Sequence, residues 1–96
     1  MGGYVYMLAS KKDGTIYTGV TADLSQRVYD HKQRINTKNF TARYGAVRLV
    51  WYEDYDDITD AIQREKSLKR WRRQWKVDLI ESINPEWNEL YSGIAW

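Results

Sequence analysis

No cysteine occurs in this sequence, and proline and histidine occur once each. Without cysteine there are no disulfides, no thiolate zinc sites and no thiol nucleophile. The sole histidine, His31, rules out multi-histidine zinc centres. No serine stands in a G-x-S-x-G turn, and neither G-x-x-x-x-G-K-[ST] nor G-x-G-x-x-G is present, which argues against a serine-hydrolase elbow and a nucleotide cofactor. Long apolar runs are also missing: none approaches the roughly 18 residues of a spanning helix, and no apolar signal segment follows a charged start. From these absences the expectation is a cytoplasmic protein with no membrane contact.

At 96 residues the chain is large enough for one modest core and too small for a second, so a single domain without a separate nucleic-acid-reading module is expected. Its net charge of +2 conceals a strong polarity. Glu53, Asp54, Asp56, Asp57 and Asp60 form an acidic stretch, and Arg64, Lys66, Lys69, Arg70, Arg72, Arg73 and Lys76 follow with Glu65 as the only acid among them. A basic stripe interleaved with Trp71 and Trp75 suits a phosphate backbone, whereas composition alone favours a solvated helix face with its tryptophans turned to the core.

Tyr4 to Ala9 and Thr15 to Val20 are rich in aromatic and β-branched residues, with Ser10-Lys11-Lys12-Asp13-Gly14 between them. The Asp-Gly pair supplies the positive-φ position of a hairpin turn, which predicts two antiparallel strands. Asp23 is placed to cap a helix reaching Gln33 or Arg34, and Gln26 completes a capping-box pattern. A polar loop through Asn36, Lys38, Asn39 and Gly45 should lead to a third strand, Val47 to Tyr52. Asp57 then caps a helix from Ile58, with apolar positions at Ile58, Ala61, Ile62, Leu68, Trp71, Trp75, Leu79 and Ile83 and nothing to stop it before Pro85. Periodicity alone permits one long helix there. The tail Glu86 to Trp96 is expected to pack through Trp87 and Leu90. The order β-β-α-β-α-α describes an α+β domain, a small three-stranded β-sheet covered by helices, with the place of the third strand undetermined.

Along this frame runs an ordered set: Tyr4-Val5-Tyr6, Tyr17-Thr18-Gly19, Arg27 with His31 one helical turn later, and Glu65 within Ala61 to Trp71, AIQREKSLKRW. Its order and spacing resemble the GIY-YIG nuclease superfamily from about Tyr4 to about Trp87. The motifs read YVY and YTG, departing from the name-giving letters but keeping Tyr6, Tyr17 and Gly19. The helical segment looks like the small stand-alone bacterial members, which are similar to the N-terminal region of the excision-repair excinuclease, rather than like the repair enzyme's own domain or the phage homing endonucleases. The resemblance implies a nuclease-like domain over residues 1–83, residues 84–96 as an extension packed on it, and a helix break near Arg70 to Arg72.

On a helical wheel Glu65 falls between Ala61, Leu68, Ile58 and Ile62, so its carboxylate points inward and needs a partner. A divalent metal and a buried salt bridge, with Arg27 or another basic residue, serve equally on periodicity alone. The resemblance favours metal, Mg²⁺ or Mn²⁺, because Glu65 matches the superfamily's metal-binding glutamate. Arg27 and His31 share one helix face beside Leu24, Val28 and Ile35, where a lone histidine is ordinarily a core residue. By resemblance Arg27 is the transition-state arginine and His31 a general acid/base or phosphate-orienting group. Tyr6 and Tyr17 stand on neighbouring strands, and both are ordinary strand residues that could simply pack. A phenol with pKa near ~10 is a poor base unless a metal or guanidinium such as Arg27 depresses it. By resemblance Tyr17 is the base for the attacking water and Tyr6 positions water or phosphate. Gly19 fits a close backbone approach or an ordinary turn. Asn84 occupies the place of a site asparagine in several members, although Asn before Pro is also a common helix terminator.

The function implied is metal-dependent phosphodiester hydrolysis of nucleic acid, DNA ahead of RNA, with Lys69, Arg70, Arg72, Arg73 and Lys76 contacting the nucleic acid. One alternative is a binding module of the same fold that cuts little or not at all. A third reading is a protein-interaction domain that exposes Trp87, Tyr91 and Trp96 on its tail. Substrate structure, pathway and oligomeric state are not specified by the sequence.

Overall fold

The computed structural model describes residues 2–33 and 47–94. The expected polar loop through Asn36, Lys38, Asn39 and Gly45 lies outside them, as do Arg34, Ile35 and Trp96. The described elements are β1 (Gly3–Ala9), β2 (Ile16–Thr21), α1 (Leu24–Gln33), β3 (Arg48–Tyr55), α2 (Ile58–Lys69), α3 (Arg73–Ile83) and a single 3₁₀ turn, Tyr91–Gly93. The order is the predicted β-β-α-β-α-α of an α+β domain.

β1 is central, with β2 and β3 antiparallel on either side. A central strand is covered on both faces, which is why GYVYMLA carries apolar or aromatic side chains at nearly every position and not at alternate ones. Tyr6 and Leu8 face one way and pack with Leu24 and Val28 of α1 and Leu49 of β3. Val5, Met7 and Ala9 face the other way, against Ala61 and Leu68 of α2 and Val77 and Ile80 of α3. Val50 is an extra residue in β3 opposite the step from Met7 to Leu8, and this bulge turns both Val50 and Trp51 toward the α2–α3 side.

β3 runs three residues past its predicted end at Tyr52, through Glu53, Asp54 and Tyr55, which pair with Val5, Tyr4 and Gly3. The acids there are tolerated because β3 is an edge strand and Glu53 accepts hydrogen bonds from Arg64 Nε, at 3.2 Å, and from the Tyr55 hydroxyl. In the β1–β2 hairpin the left-handed residue is Asp13, φ 62°, and not the glycine. Space at Gly14 is tight, since a Cβ there would run into the Ser10 hydroxyl and lie 2.9 Å from Lys11 Cγ and 3.1 Å from Lys11 N.

The capping box forms only in part. Asp23 Oδ1 accepts from the Gln26 backbone N–H at 3.2 Å, but the Gln26 side chain donates forward to Asp30 and the Asp23 N–H is taken by Thr21 Oγ1. Between α2 and α3 the helical run breaks at Arg70 to Arg72, with Arg72 extended at ψ 152°. No glycine or proline causes this. The Arg73 guanidinium instead donates to the carbonyls of Asp13 and Gly14 at 2.8 and 2.7 Å, tying the start of α3 to the hairpin turn.

The tail returns to the sheet. Trp87, in the left-handed region at φ 57°, is fully buried and donates its indole N–H to Glu81 at 2.7 Å. Leu90 N–H donates to Leu49 O at 2.8 Å, and Glu89 accepts from Leu49 N–H at 2.7 Å and from Lys32. The interaction-domain reading required Trp87 and Tyr91 in solvent. Trp87 is in the core, and Tyr91 is half-buried beneath the Lys32 ammonium, 5.3 Å from its ring centre.

Candidate active site

Tyr6 stands opposite Gly19 in the β1–β2 register. Its phenol crosses the strand where a side chain would otherwise be: a Cβ on Gly19 would lie 2.5 Å from the hydroxyl and 2.6 Å from Cζ. Tyr6 can therefore reach past its own strand while its ring stays in the core. The Tyr6 hydroxyl and His31 Nε2 share a hydrogen bond at 3.1 Å. Tyr17 completes a three-ring cluster, its centroid 6.3 Å from that of Tyr6 and 5.2 Å from that of His31, with all planes tilted.

Arg27 lies one turn before His31 on α1 and is exposed, so its guanidinium is open to a ligand from solvent. Its positive charge reaches Tyr6, as does the negative charge of Glu65 from α2. The Glu65 side chain is only 13% exposed, as its place on the wheel predicts, and accepts from Lys69 Nζ at 2.8 Å. Lys69 in turn senses the Tyr17 phenol, and its bond to Glu65 raises its pKa. Four elements thus bring Tyr6, Tyr17 and His31 into contact and set Arg27 and Glu65 within electrostatic range.

The surroundings of Tyr6 and Glu65 bear on their roles. Tyr6 is not activated as a base: burial, then the adjacent Tyr17, push its pKa well above the phenol range, and the opposing pull of Arg27 does not compensate. A neutral Tyr6 is a hydrogen-bonding group. The salt-bridge alternative for Glu65 is present in part: its partner is a basic residue, Lys69, but one that is 53% exposed and stays hydrated.

Asn84 is not drawn to the cluster. It is buried, both amide protons go to the carbonyls of Val50 and Asn88 at 2.9 Å, and its oxygen accepts from the Asn88 N–H at 2.9 Å. The basic residues divide in the same way. Lys69 is paired with Glu65 and Arg73 with the hairpin, while half-buried Lys76 has its pKa lowered by burial and by Lys69 and Arg73. Arg70 and Arg72 are exposed. Lys69 is the site contact that the sequence pattern assigned only to nucleic acid, although the Glu65-to-Lys69 spacing of four is a helix-pair signal.

The family model described as GIY-YIG catalytic domain matches residues 2–78. The chain belongs to the GIY-YIG domain family. Among its relatives, a UPF0213 protein of Staphylococcus saprophyticus is 35% identical over 77 residues, covering 80% of this chain and 92% of the relative. A UPF0213 protein of Clostridium perfringens is 37% identical over 79 residues, covering 82% and 83%. The solution NMR structure of a UPF0213 protein from Bacillus halodurans superposes with a TM-score of 0.57 at 29% identity, covering 93% of each chain. These relatives are short, as expected of stand-alone GIY-YIG proteins.

Among the described residues no group of three or more His, Cys, Asp and Glu is placed to hold an ion. Glu65 brings a single largely buried carboxylate to the cluster, a hard oxygen donor of the kind a hard divalent cation accepts. No described helix is long and apolar enough to cross a membrane.

Proposed function

We propose that this GIY-YIG protein is an endonuclease that hydrolyses phosphodiester bonds in nucleic acid, DNA in the first instance, in the cytoplasm. The observation that supports the reading best is the Tyr6–Tyr17–His31 ring cluster, with exposed Arg27 beside it and the Glu65 carboxylate in range. Residues 1–83 carry the chemistry and residues 84–96 brace it.

Arg27 presents a planar fork of donors to the scissile phosphate and stabilises the charge that develops there. Tyr17 takes the proton of the attacking water while handing its own phenolic proton on, and the leaving oxygen is protonated as its bond to phosphorus breaks. His31, held by Tyr6, orients the phosphate or passes the proton on, and Tyr6 remains protonated throughout. Glu65 would hold Mg²⁺ or Mn²⁺, which when bound supplies charge neutralisation at a phosphate oxygen. Lys69 competes for the same carboxylate and keeps it paired when no substrate is present. That competition also supports a second reading, a binding module with little cleavage.

The test is a cleavage screen on branched, single-stranded and duplex DNA and RNA with Mg²⁺ and Mn²⁺. A discrete product that disappears with chelator and with Glu65→Gln is expected. Binding without any product across the whole screen would favour the second reading.

A further inference from the structure

The basic run of α2 and α3 does not form one continuous face. Lys69 and Arg73 are committed to Glu65 and to the hairpin carbonyls. Gln63, Lys66, Ser67 and Arg70 lie roughly 100–200° around the helix from Glu65 at 100° per residue. With Trp71 and Trp75 they line an open recess of about 610 Å³ where α2 meets α3.

The tryptophans are built into its wall. Trp75 is 50% exposed, and Trp71 meets it edge to face with ring centres 6.0 Å apart and planes at 84°. The Arg72 guanidinium lies 4.9 Å from the centre of the Trp75 ring and that of Arg64 5.3 Å from Trp71. Contacts with Trp71 and with the Arg72 guanidinium thus hold Trp75 in place while half its surface meets water. Lys66 and Arg70 flank the recess, and among the described residues no carboxylate lines it. A surface that attracted phosphate by charge alone would have no use for a half-exposed indole.

We propose that this recess binds an unpaired base of single-stranded nucleic acid, with Trp75 stacking on the base and Lys66 and Arg70 holding the adjoining phosphates. The faces of a base inside a duplex are already stacked, so the platform selects single strands. The inference takes from the proposed function only that the partner is nucleic acid, and it holds whether or not the chain cuts.

The test uses the full chain in chelator, with fluorescence anisotropy of a labelled oligothymidylate, an abasic deoxyribose-phosphate strand of equal length, and a duplex. The parent should prefer oligothymidylate to the abasic strand by about 5- to 150-fold, the range of one stacked base. Trp75→Ala should abolish that preference and leave duplex binding unchanged. Trp75→Lys should also lose it, although it adds a positive charge. Lys66→Gln and Arg70→Gln should each lower the salt slope for single strands by about 0.7. Equal affinity of the parent for the base-bearing and abasic strands would overturn the proposal. So would a Trp75→Ala loss shared equally by duplex, or anionic-vesicle binding that depends on Trp75 while oligonucleotide binding does not. Because no metal is present, failed cleavage and failed stacking are read in separate experiments.

Discussion

Gly19→Ala is the smallest change that tests how the site is held. A methyl group at this position would lie 2.5 Å from the Tyr6 hydroxyl, 2.6 Å from Cζ and 3.0 Å from Cε1, so the ring must move 0.8–0.9 Å to restore a 3.4 Å contact. The Tyr6 ring has little freedom to do so, because Leu8, Val28 and Leu49 are fully buried around it. Overpacking of this kind costs about 1–3 kcal/mol, and losing the bond to His31 adds about 1 kcal/mol. Replacing glycine in a strand returns about 0.5–1 kcal/mol through the unfolded chain. The net loss is about 1–3.5 kcal/mol, or roughly 4–28 °C in Tm for a domain of this size. Urea and thermal unfolding measure it. The imidazole proton resonance of His31, the only histidine, reports whether the phenol has moved. Adding Tyr6→Phe should recover part of the loss, since it removes the 2.5 Å contact and leaves the 2.6 Å one. A Gly19→Ala protein that melts at or above the parent temperature with an unchanged His31 signal would refute this account of the packing.

Four further outcomes are expected. Glu65→Gln should change stability by less than about 1 kcal/mol, because its Lys69 partner is half in water, while cleavage is lost; a drop of several kcal/mol in urea titration would show the carboxylate to be a structural anchor. Arg27→Lys keeps the charge but not the fork and should lower turnover roughly 100-fold with binding little changed, so wild-type turnover would make Arg27 a mere positive charge. Tyr6 should make the fold alkali-sensitive: its raised pKa means its contribution is intact below about pH 10 and is lost as pH rises from there toward the folded value, at up to about 1.4 kcal/mol per unit. Tyr6→Phe should show a shallower fall between about pH 9 and pH 11, and identical slopes in urea titrations would remove the effect. Asn84→Ala abandons three backbone partners and should cost about 2–4 kcal/mol, with activity per folded molecule retained; lost activity at unchanged stability would return Asn84 to the site.

The order of elements was legible in the sequence because its signals are local. Turn chemistry at Asp13-Gly14, the Asp23 and Asp57 caps and 3.6-residue periodicity from Ile58 each act within a few residues. The candidate site set could be named through its resemblance to the GIY-YIG motifs, whose order and spacing are carried along the chain, and the inward direction of Glu65 follows from the wheel alone. Acids hid the end of β3, because only pairing with β1 makes Glu53 and Asp54 strand residues.

What depends on contacts far apart in sequence was decided by the tertiary structure. The flank of β1 on which β3 lies and the break at Arg70 to Arg72 fastened by Arg73 to a turn some sixty residues earlier leave no local pattern, and Trp87, expected to pack, gains its partner Glu81 and its place in the core only in the folded chain. The same is true of the protonation of Tyr6, which comes from burial and from Tyr17 on the neighbouring strand, and of Gly19, whose missing side chain is filled by a phenol thirteen residues away. Sequence spacing determines which groups a strand or helix presents. Only the packed sheet determines how close they come, and desolvation and charge act through that distance.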